Sequence, residues 1–319
     1  MLDPQAKALL ELIESLGIDP MNEMPVSEAR ESYRERRHAT QPDAPEVAST
    51  EDHLVPVEPA GATITVRSYK PKVSRASQTS AGAAPALLYL HGGGWTIGDL
   101  ETHDTLCRML SNESGCQVFS VDYRMGPEHK FPVAVEDTIT AWLWLHENAQ
   151  QLGLDPTRLA VGGDSAGGNL AAVLSLHARD SHCPAPCFQL LIYPAVDQRA
   201  AHDSHQRNGD GYLLTRDLMA WFRRQYHASD VEYLDWRASP LLATSHQSLP
   251  PALVLTAGYD PLVDEGQAYA AVLKAAGVSV EQANFEGQIH GFITMGRMID
   301  QANEAVTRCA QALREAVRS

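Results

Sequence analysis

Residues 158–178, RLAVGGDSAGGNLAAVLSLHA, change character at a single point. RLAVGG is a compact run of β-type residues, whereas AGGNLAAVLSLHA carries helical periodicity. Between them stands Gly163-Asp164-Ser165-Ala166-Gly167, a G-x-S-x-G sequence at a strand-to-helix junction. A serine hydroxyl is a weak nucleophile unless it is exposed, oriented and paired with a base. A tight turn at the end of a strand exposes it, and the flanking glycines remove side chains that would clash there. The helix start adds a dipole that favours negative charge. A five-residue pattern can arise by chance, but its place between strand and helix singles out Ser165 as a nucleophile.

Outward from this junction, apolar runs alternate with helical stretches. The strand candidates are 86–90, 117–123, 158–163, 188–193, 252–257 and 278–285, and the segments 132–149 and 267–277 between them have helical spacing. Buried strands alternating with helices imply a mostly parallel sheet covered on both faces. Ahead of them, HLVPVEP (53–59) and ATITVRSY (62–69) flank Ala60-Gly61 and read as an antiparallel hairpin, which brings the sheet to eight strands. Residues 71–84 form a polar, small-residue loop. From about Val196 to Leu249 the alternation breaks, and a helix near Thr215–His227 marks an insertion too long to be a plain connection.

Two further signals lie at strand ends. His91-Gly92-Gly93-Gly94-Trp95 follows ALLYL directly, and three consecutive glycines leave backbone N–H groups open to a reacting oxygen. A phosphate cradle is the competing reading, but no Gly-Lys-Ser or Gly-Lys-Thr ending supports it. A serine of this kind needs a histidine base and an orienting carboxylate, in the chain order serine, acid, histidine. Of the histidines downstream of Ser165, only His290 lies in a short loop after the last strand candidate. Asp260 follows the strand candidate 252–257, so both groups fall at strand C-terminal ends, where open α/β sheets place their ligands. Asp264 and Glu265 are rivals for the acid, but they lie one helical turn later and suit a capping or pairing role.

Bulk properties narrow the function. The chain has 319 residues, 44% hydrophobic and 20% charged, the make-up of an ordinary globular protein that can form one large domain. A net charge of -15 disfavours nucleic acid and anionic membrane surfaces, both of which would be repelled. No apolar run reaches the roughly 18 residues of a membrane span. The N-terminus lacks the basic start and apolar core of a signal peptide, so a cytoplasmic location is expected. Five cysteines, Cys107, Cys116, Cys183, Cys187 and Cys309, do not suggest a disulfide framework. His182, Cys183 and Cys187 are close in sequence, but no second ligand pair follows and no metal is expected.

Taken in order, HGGGW (91–95), DYRMGPEHKFP (122–132), GDSAGGNLA (163–171), YPAVD (193–197), SPL (239–241), GYDPLVDEG (258–266) and HGF (290–292) resemble the bacterial hormone-sensitive lipase family of esterases, in its GDSAGG subgroup. The resemblance spans residues 85 to 295. It implies an α/β-hydrolase fold and a carboxylesterase acting on short- to medium-chain esters, with no cofactor. It implies a triad of Ser165, Asp260 and His290, and an oxyanion hole of the Gly93, Gly94 and Ala166 N–H groups, with Gly92 shaping the turn. It also implies a helical cap made of residues 1–45 and of an insertion at about 196–235, over a catalytic domain spanning 46–319. Leu9, Leu10, Leu12, Ile13 and Leu16 would form the apolar stripe that roofs the pocket, and Trp95 would narrow it. The resemblance admits a homodimer through the final strand or helix. The family usually has arginine where Val263 stands and Leu-Ala where Met125-Gly126 stand. Within the same chemistry an amidase or arylformamidase is the alternative. A non-catalytic ligand receptor is another, since a plant hormone receptor of this family has its catalytic histidine replaced, but His290 is retained here.

Overall fold

The computed structural model describes residues 1–73 and 82–318. Eight strands form one sheet: β1 (Ser49–Val57), β2 (Ala62–Lys70), β3 (Ala84–Leu90), β4 (Gln117–Asp122), β5 (Leu154–Asp164), β6 (Gln189–Ile192), β7 (Ala252–Tyr259) and β8 (Val280–Ile289). Their spatial order is β1-β2-β4-β3-β5-β6-β7-β8. β1 and β2 pair antiparallel, with Val57 opposite Ala62 across the turn, and β2 pairs antiparallel with β4. Every other neighbouring pair is parallel. All eight expected strands are present. β5 starts four residues before the apolar run, because Leu154–Thr157 extend the strand while Asp155 ties back to Thr157 and Arg158. The expected 71–84 loop lies largely on residues 74–81, outside the described residues.

β3 shows why the sheet needs two helical layers. All seven of its residues are buried, and they alternate between two cores. Ala84, Ala86, Leu88 and Leu90 pack with α4 (Val133–Glu147), α5 (Ala166–Asp180) and α8 (Val263–Ala275). Leu87 and Tyr89 pack with α3 (Leu100–Ser114) and α9 (Asp300–Ala316). Among the described residues no helix is long and apolar enough to cross a membrane.

Outside this frame stand α1 (Pro4–Ser15) and α2 (Val26–Thr40), and, within the insertion after β6, α6 (Ser204–Arg207) and α7 (Arg216–Tyr226). The apolar stripe of α1 is narrower than expected. Leu9 is buried, and Leu10 and Ile13 are half-buried, but Leu12 and Leu16 are 43% and 60% exposed because they point away from the body. α2 buries Ala29 on the core, with Val26 and Tyr33 packed beside it, and is also tied down by charge. Arg30 donates to the Thr96 and Gly126 carbonyls and pairs with Glu128, while Arg34 pairs with Asp99. α7 is anchored differently. Lys130 Nζ donates to the carbonyls of Arg224, Gln225 and His227 at the helix end, and Tyr226 stacks on Trp95 with ring centroids 4.6 Å apart. Gly126 stands where the family commonly has a larger residue, and the space for a side chain there is taken by the Gln225 carbonyl.

Burial makes the stability consequences testable. Leu88 is fully buried at the sheet centre, so Leu88→Ala is expected to lower the free energy of unfolding by about 3 kcal/mol. Leu54, 70% exposed on the edge strand, should lose under about 0.5 kcal/mol as alanine. Chemical denaturation of the two variants at one pH checks both values.

Candidate active site

Four parallel strands deliver the motif residues to one end of the sheet. β3 ends at Leu90 and passes into His91; β5 ends at Asp164 and passes into Ser165. Leu90 pairs with Gly163, so the glycine loop emerges beside the serine turn. On the other side Tyr259 pairs with Ile289, which sets Asp260 and His290, the next residues of β7 and β8, side by side.

Ser165 has φ 56° and ψ −115°, a backbone region that L residues rarely occupy. It is held by its own N–H, which donates to the Ile192 carbonyl, and by its carbonyl, which accepts from Asn169 and Ala195. The turn is so tight that a side chain at Gly167 would overlap the Leu90 carbonyl. Ser165 Oγ lies 2.9 Å from His290 Nε2, and His290 Nδ1 lies 2.7 Å from Asp260 Oδ2. A carboxylate can only accept, so Nδ1 carries the proton toward Asp260 and Nε2 is free to accept from the serine hydroxyl. Asp260 is fully buried, and its other oxygen accepts the Leu262 N–H at 2.8 Å.

Facing the serine, the backbone N–H groups of Gly93, Gly94 and Ala166 make no hydrogen bond among the described residues. Gly93 has φ 120°, a value closed to other residues, and a side chain there would meet the Ile97 carbonyl. The loop is fixed from beneath by Asp164. Its carboxylate accepts the Gly92 N–H at 3.0 Å and the Tyr89 hydroxyl at 2.8 Å, and lies 3.2 Å from His103 Nε2. Burial acts to raise the Asp164 carboxyl, but His103 and Tyr89 outweigh it and hold it below the usual carboxylate range. His91 is stacked on Tyr123 at 4.4 Å, and burial lowers it to about 4, so it is a neutral spacer that binds the Gly92 carbonyl.

A cavity of about 690 Å³ opens above Ser165, within the range of small-molecule sites. Its floor is the serine, His290 and the glycine loop, and its walls come from α1, α2 and α7. Trp95 borders it, but it is 3% exposed and spends its face on Tyr226, so it anchors α7 more than it narrows the space.

This geometry has counterparts in known proteins. Residues 87–294 match the model of the alpha/beta hydrolase fold family. The chain is 41% identical to an ethyl acetate hydrolase of Pseudomonas putida over 98% of this chain and 99% of the relative. It is 45% identical to the carboxylic ester hydrolase LipN of Mycobacterium tuberculosis over 80% of this chain and 68% of the relative. An ester hydrolase from the metagenome of Lake Arreo, solved with a derivative of bipyridine phosphonate, superposes over 100% of both chains with a TM-score of 0.94 and 41% identity. The chain belongs to the alpha/beta hydrolase family, among its bacterial hormone-sensitive-lipase-type esterases.

In this hydrolase the rivals for the acid have other partners. Asp264 accepts the Ser204 N–H at 2.9 Å and pairs with Arg207. Glu265 is buried, accepts the Val196 and Asp197 N–H groups, and lies 2.8 Å from His205 Nε2. Ser204 also donates to the Pro261 carbonyl, and Asn208 to the Gly258 and Asp260 carbonyls. The four-residue helix α6 therefore clamps the loop that carries Asp260, a role that no sequence motif marked. Val263, where the family commonly has arginine, is buried and makes no ion pair. Phe222 of α7, whose ring fills the space beside Gly94, and His103 of α3 were likewise unmarked. His182, Cys183 and Cys187 form no metal-holding group among the described residues.

The clamp has a pH signature. Burial opposes a charged His205 ring, but the Glu265 carboxylate outweighs it and raises the group above the ordinary histidine value. A raised folded-state value means that the contribution is full below about pH 6.5 and fades as pH rises through the folded value. Burial also raises the Glu265 carboxyl, so protonation of Glu265 ends the pairing on the acid side, and the difference in thermal midpoint between wild type and His205→Gln is expected to shrink as pH rises from about 6.5 through the folded His205 value. A difference independent of pH would mean that the ring binds its proton equally well in the folded and unfolded chain.

Proposed function

We propose that the chain is a carboxylesterase that cleaves short- to medium-chain esters through an acyl-enzyme on Ser165. The observation that carries this reading is the unbroken relay from Ser165 Oγ to His290 Nε2 and from His290 Nδ1 to Asp260. His290 takes the serine proton as Oγ attacks the ester carbonyl. Asp260 fixes the tautomer and stabilises the imidazolium as it forms. The carbonyl oxygen gains charge against the free N–H groups of Gly93, Gly94 and Ala166. The alcohol then leaves with the proton from His290, and water repeats the cycle on the acyl-enzyme. The sequence of steps needs no metal or organic cofactor.

The similarity to an ethyl acetate hydrolase and to LipN supports ester hydrolysis. The roof supports the length preference: Leu9, Leu10 and Ile13 of α1 and Leu218, Met219 and Phe222 of α7 enclose an apolar space above the serine. Residues 1–45 and the insertion at about 196–235 thus act as a cap over the catalytic domain. A roofed, largely apolar pocket rewards a chain that fits beneath the roof and disfavours one that must cross it.

Asp260→Asn keeps the geometry but removes the charge that favours the imidazolium, so kcat should fall by roughly 10⁴. Asp264→Asn should cost far less, and Ser165→Ala should abolish turnover with an unchanged circular dichroism spectrum. Comparable losses at Asp260 and Asp264 would overturn the assignment of the acid. For the cap, p-nitrophenyl butyrate and hexanoate should be cleaved much faster than palmitate. Removal of residues 1–40 should flatten that profile, and an unchanged profile in the soluble truncated protein would exclude the N-terminal helices as the roof.

A further inference from the structure

Among the charged side chains that line the cavity, one half-buried cation has no partner among the described residues. α2 presents Tyr33, Arg36, Arg37 and Thr40 to the cavity, positions three and four apart that share one helix face. Tyr33 is half-buried, and burial and then the Asp164 charge raise its hydroxyl above the ordinary tyrosine value. Arg36 follows it by three residues, about 4.5 Å along the axis.

The side chain of Arg36 is half-buried, and its guanidinium makes no hydrogen bond or ion pair among the described residues. The other arginines of the helix are all engaged. Arg30 holds two carbonyls and Glu128, Arg34 holds Asp99, and Arg37 donates to the Arg34 carbonyl. The remaining charged groups around the cavity are also satisfied or open to solvent. Lys7 pairs with Glu11, Arg223 donates to the Gln198 carbonyl, and His205 pairs with Glu265. Glu14 and Asp19 are exposed at the rim. Arg36 gains little from the helix dipole either, because Arg37 and His38 occupy the last turn. Burial lowers its affinity for its proton, with no neighbouring carboxylate acting in the opposite direction. A half-buried guanidinium that lines the cavity without a partner can take up an anion, and its planar fork of five donors matches a carboxylate.

We propose that Arg36 is a specificity residue that binds a carboxylate carried by the substrate a few carbons from the scissile ester. This rests on Ser165 being the nucleophile. The carboxylate could lie on the acyl side, in a hemiester of a dicarboxylic acid, or on the alcohol side, in an acyloxy carboxylate. In either case the two oxygens would accept from the guanidinium while the ester carbonyl lies at the Gly93, Gly94 and Ala166 N–H groups. The spacer would run along the apolar wall.

The test compares charged and neutral esters on the full-length protein. On the acyl side, kcat/KM is measured for p-nitrophenyl hemiadipate against p-nitrophenyl heptanoate. On the alcohol side, 4-(butanoyloxy)butanoate is compared with pentyl butanoate by proton release. The charged-to-neutral ratio is taken in wild type, Arg36→Leu, Arg36→Gln and Arg36→Lys, so any general loss of activity cancels. We expect the ratio to fall by about tenfold or more in the leucine and glutamine variants in one arm, with part of it restored by lysine. The arm that responds identifies the side that carries the carboxylate. A change of less than about threefold in both arms, or an intermediate fall that lysine does not partly restore, would overturn the proposal. Loss of hydrolysis of the neutral esters by the wild type, or its survival in Ser165→Ala, would instead overturn the serine-esterase reading.

Discussion

The carboxylate of Asp164 is buried where the ends of β3 and β5 meet, and much of the site depends on how it is satisfied. An isolated charge in that position would be strongly unfavourable. Here it accepts the Gly92 N–H and the Tyr89 hydroxyl and faces the His103 ring, so each partner's position is fixed by the need to offset its desolvation. Two consequences follow along the chain. The residue after Asp164 is Ser165, whose unusual backbone angles persist because the neighbouring backbone bonds over-determine them. The residue after Gly92 is Gly93, whose N–H is left without a partner on the side of the serine. One buried charge thus sets the spacing between Ser165 and the free N–H groups of the glycine loop.

The acid side is built on a different principle. β7 and β8 place Asp260 and His290 next to one another by register alone, but the loop after β7 has no strand to hold it. The insertion supplies the support. Ser204, His205, Arg207 and Asn208 reach five residues of the loop and the start of α8 in one short helix. The chain segment that forms one wall of the cavity is therefore also the segment that positions the acid. A shift of that wall would be felt at His290 through Asp260 without any contact to the ring.

The strands, their mostly parallel order and the position of the serine turn were legible in the sequence because they rest on local patterns. Continuous apolar runs such as ALLYL and ALVLTA have few alternatives to a doubly covered sheet, and a G-x-S-x-G after a strand specifies its own turn. Strand ends pointed to Asp260 as the acid candidate over Asp264 and Glu265, and in the structure the latter two are engaged by Ser204, Arg207 and His205. Other features were not legible because they join distant and individually unremarkable residues. His103 meets Asp164 across 61 positions, and Ser204 meets Pro261 across 57. The width of the α1 stripe was misjudged for a related reason. Five apolar residues within two turns suggest full burial, but the surface beneath covers Leu9, Leu10 and Ile13 and leaves Leu12 and Leu16 in solvent.

The floor and the roof of the cavity differ in what holds them, and this bears on how selectivity can change. The floor is continuous with two apolar cores and a buried carboxylate, so substitutions there carry the large energies of packing and desolvation. In the N-terminal helices of the roof only Ala6, Leu9 and Ala29 are fully buried, and the rest of the hold comes from partly exposed pairs such as Arg30–Glu128 and Arg34–Asp99 and from the Asp3 N–H on the Gly287 carbonyl. Exposed ion pairs contribute about 0–1 kcal/mol each, so α1 and α2 belong to the less stable part of the molecule. Arg36, half-buried and without a partner among the described residues, can vary at little cost to the fold. The chemistry is thus confined to the element that tolerates change least.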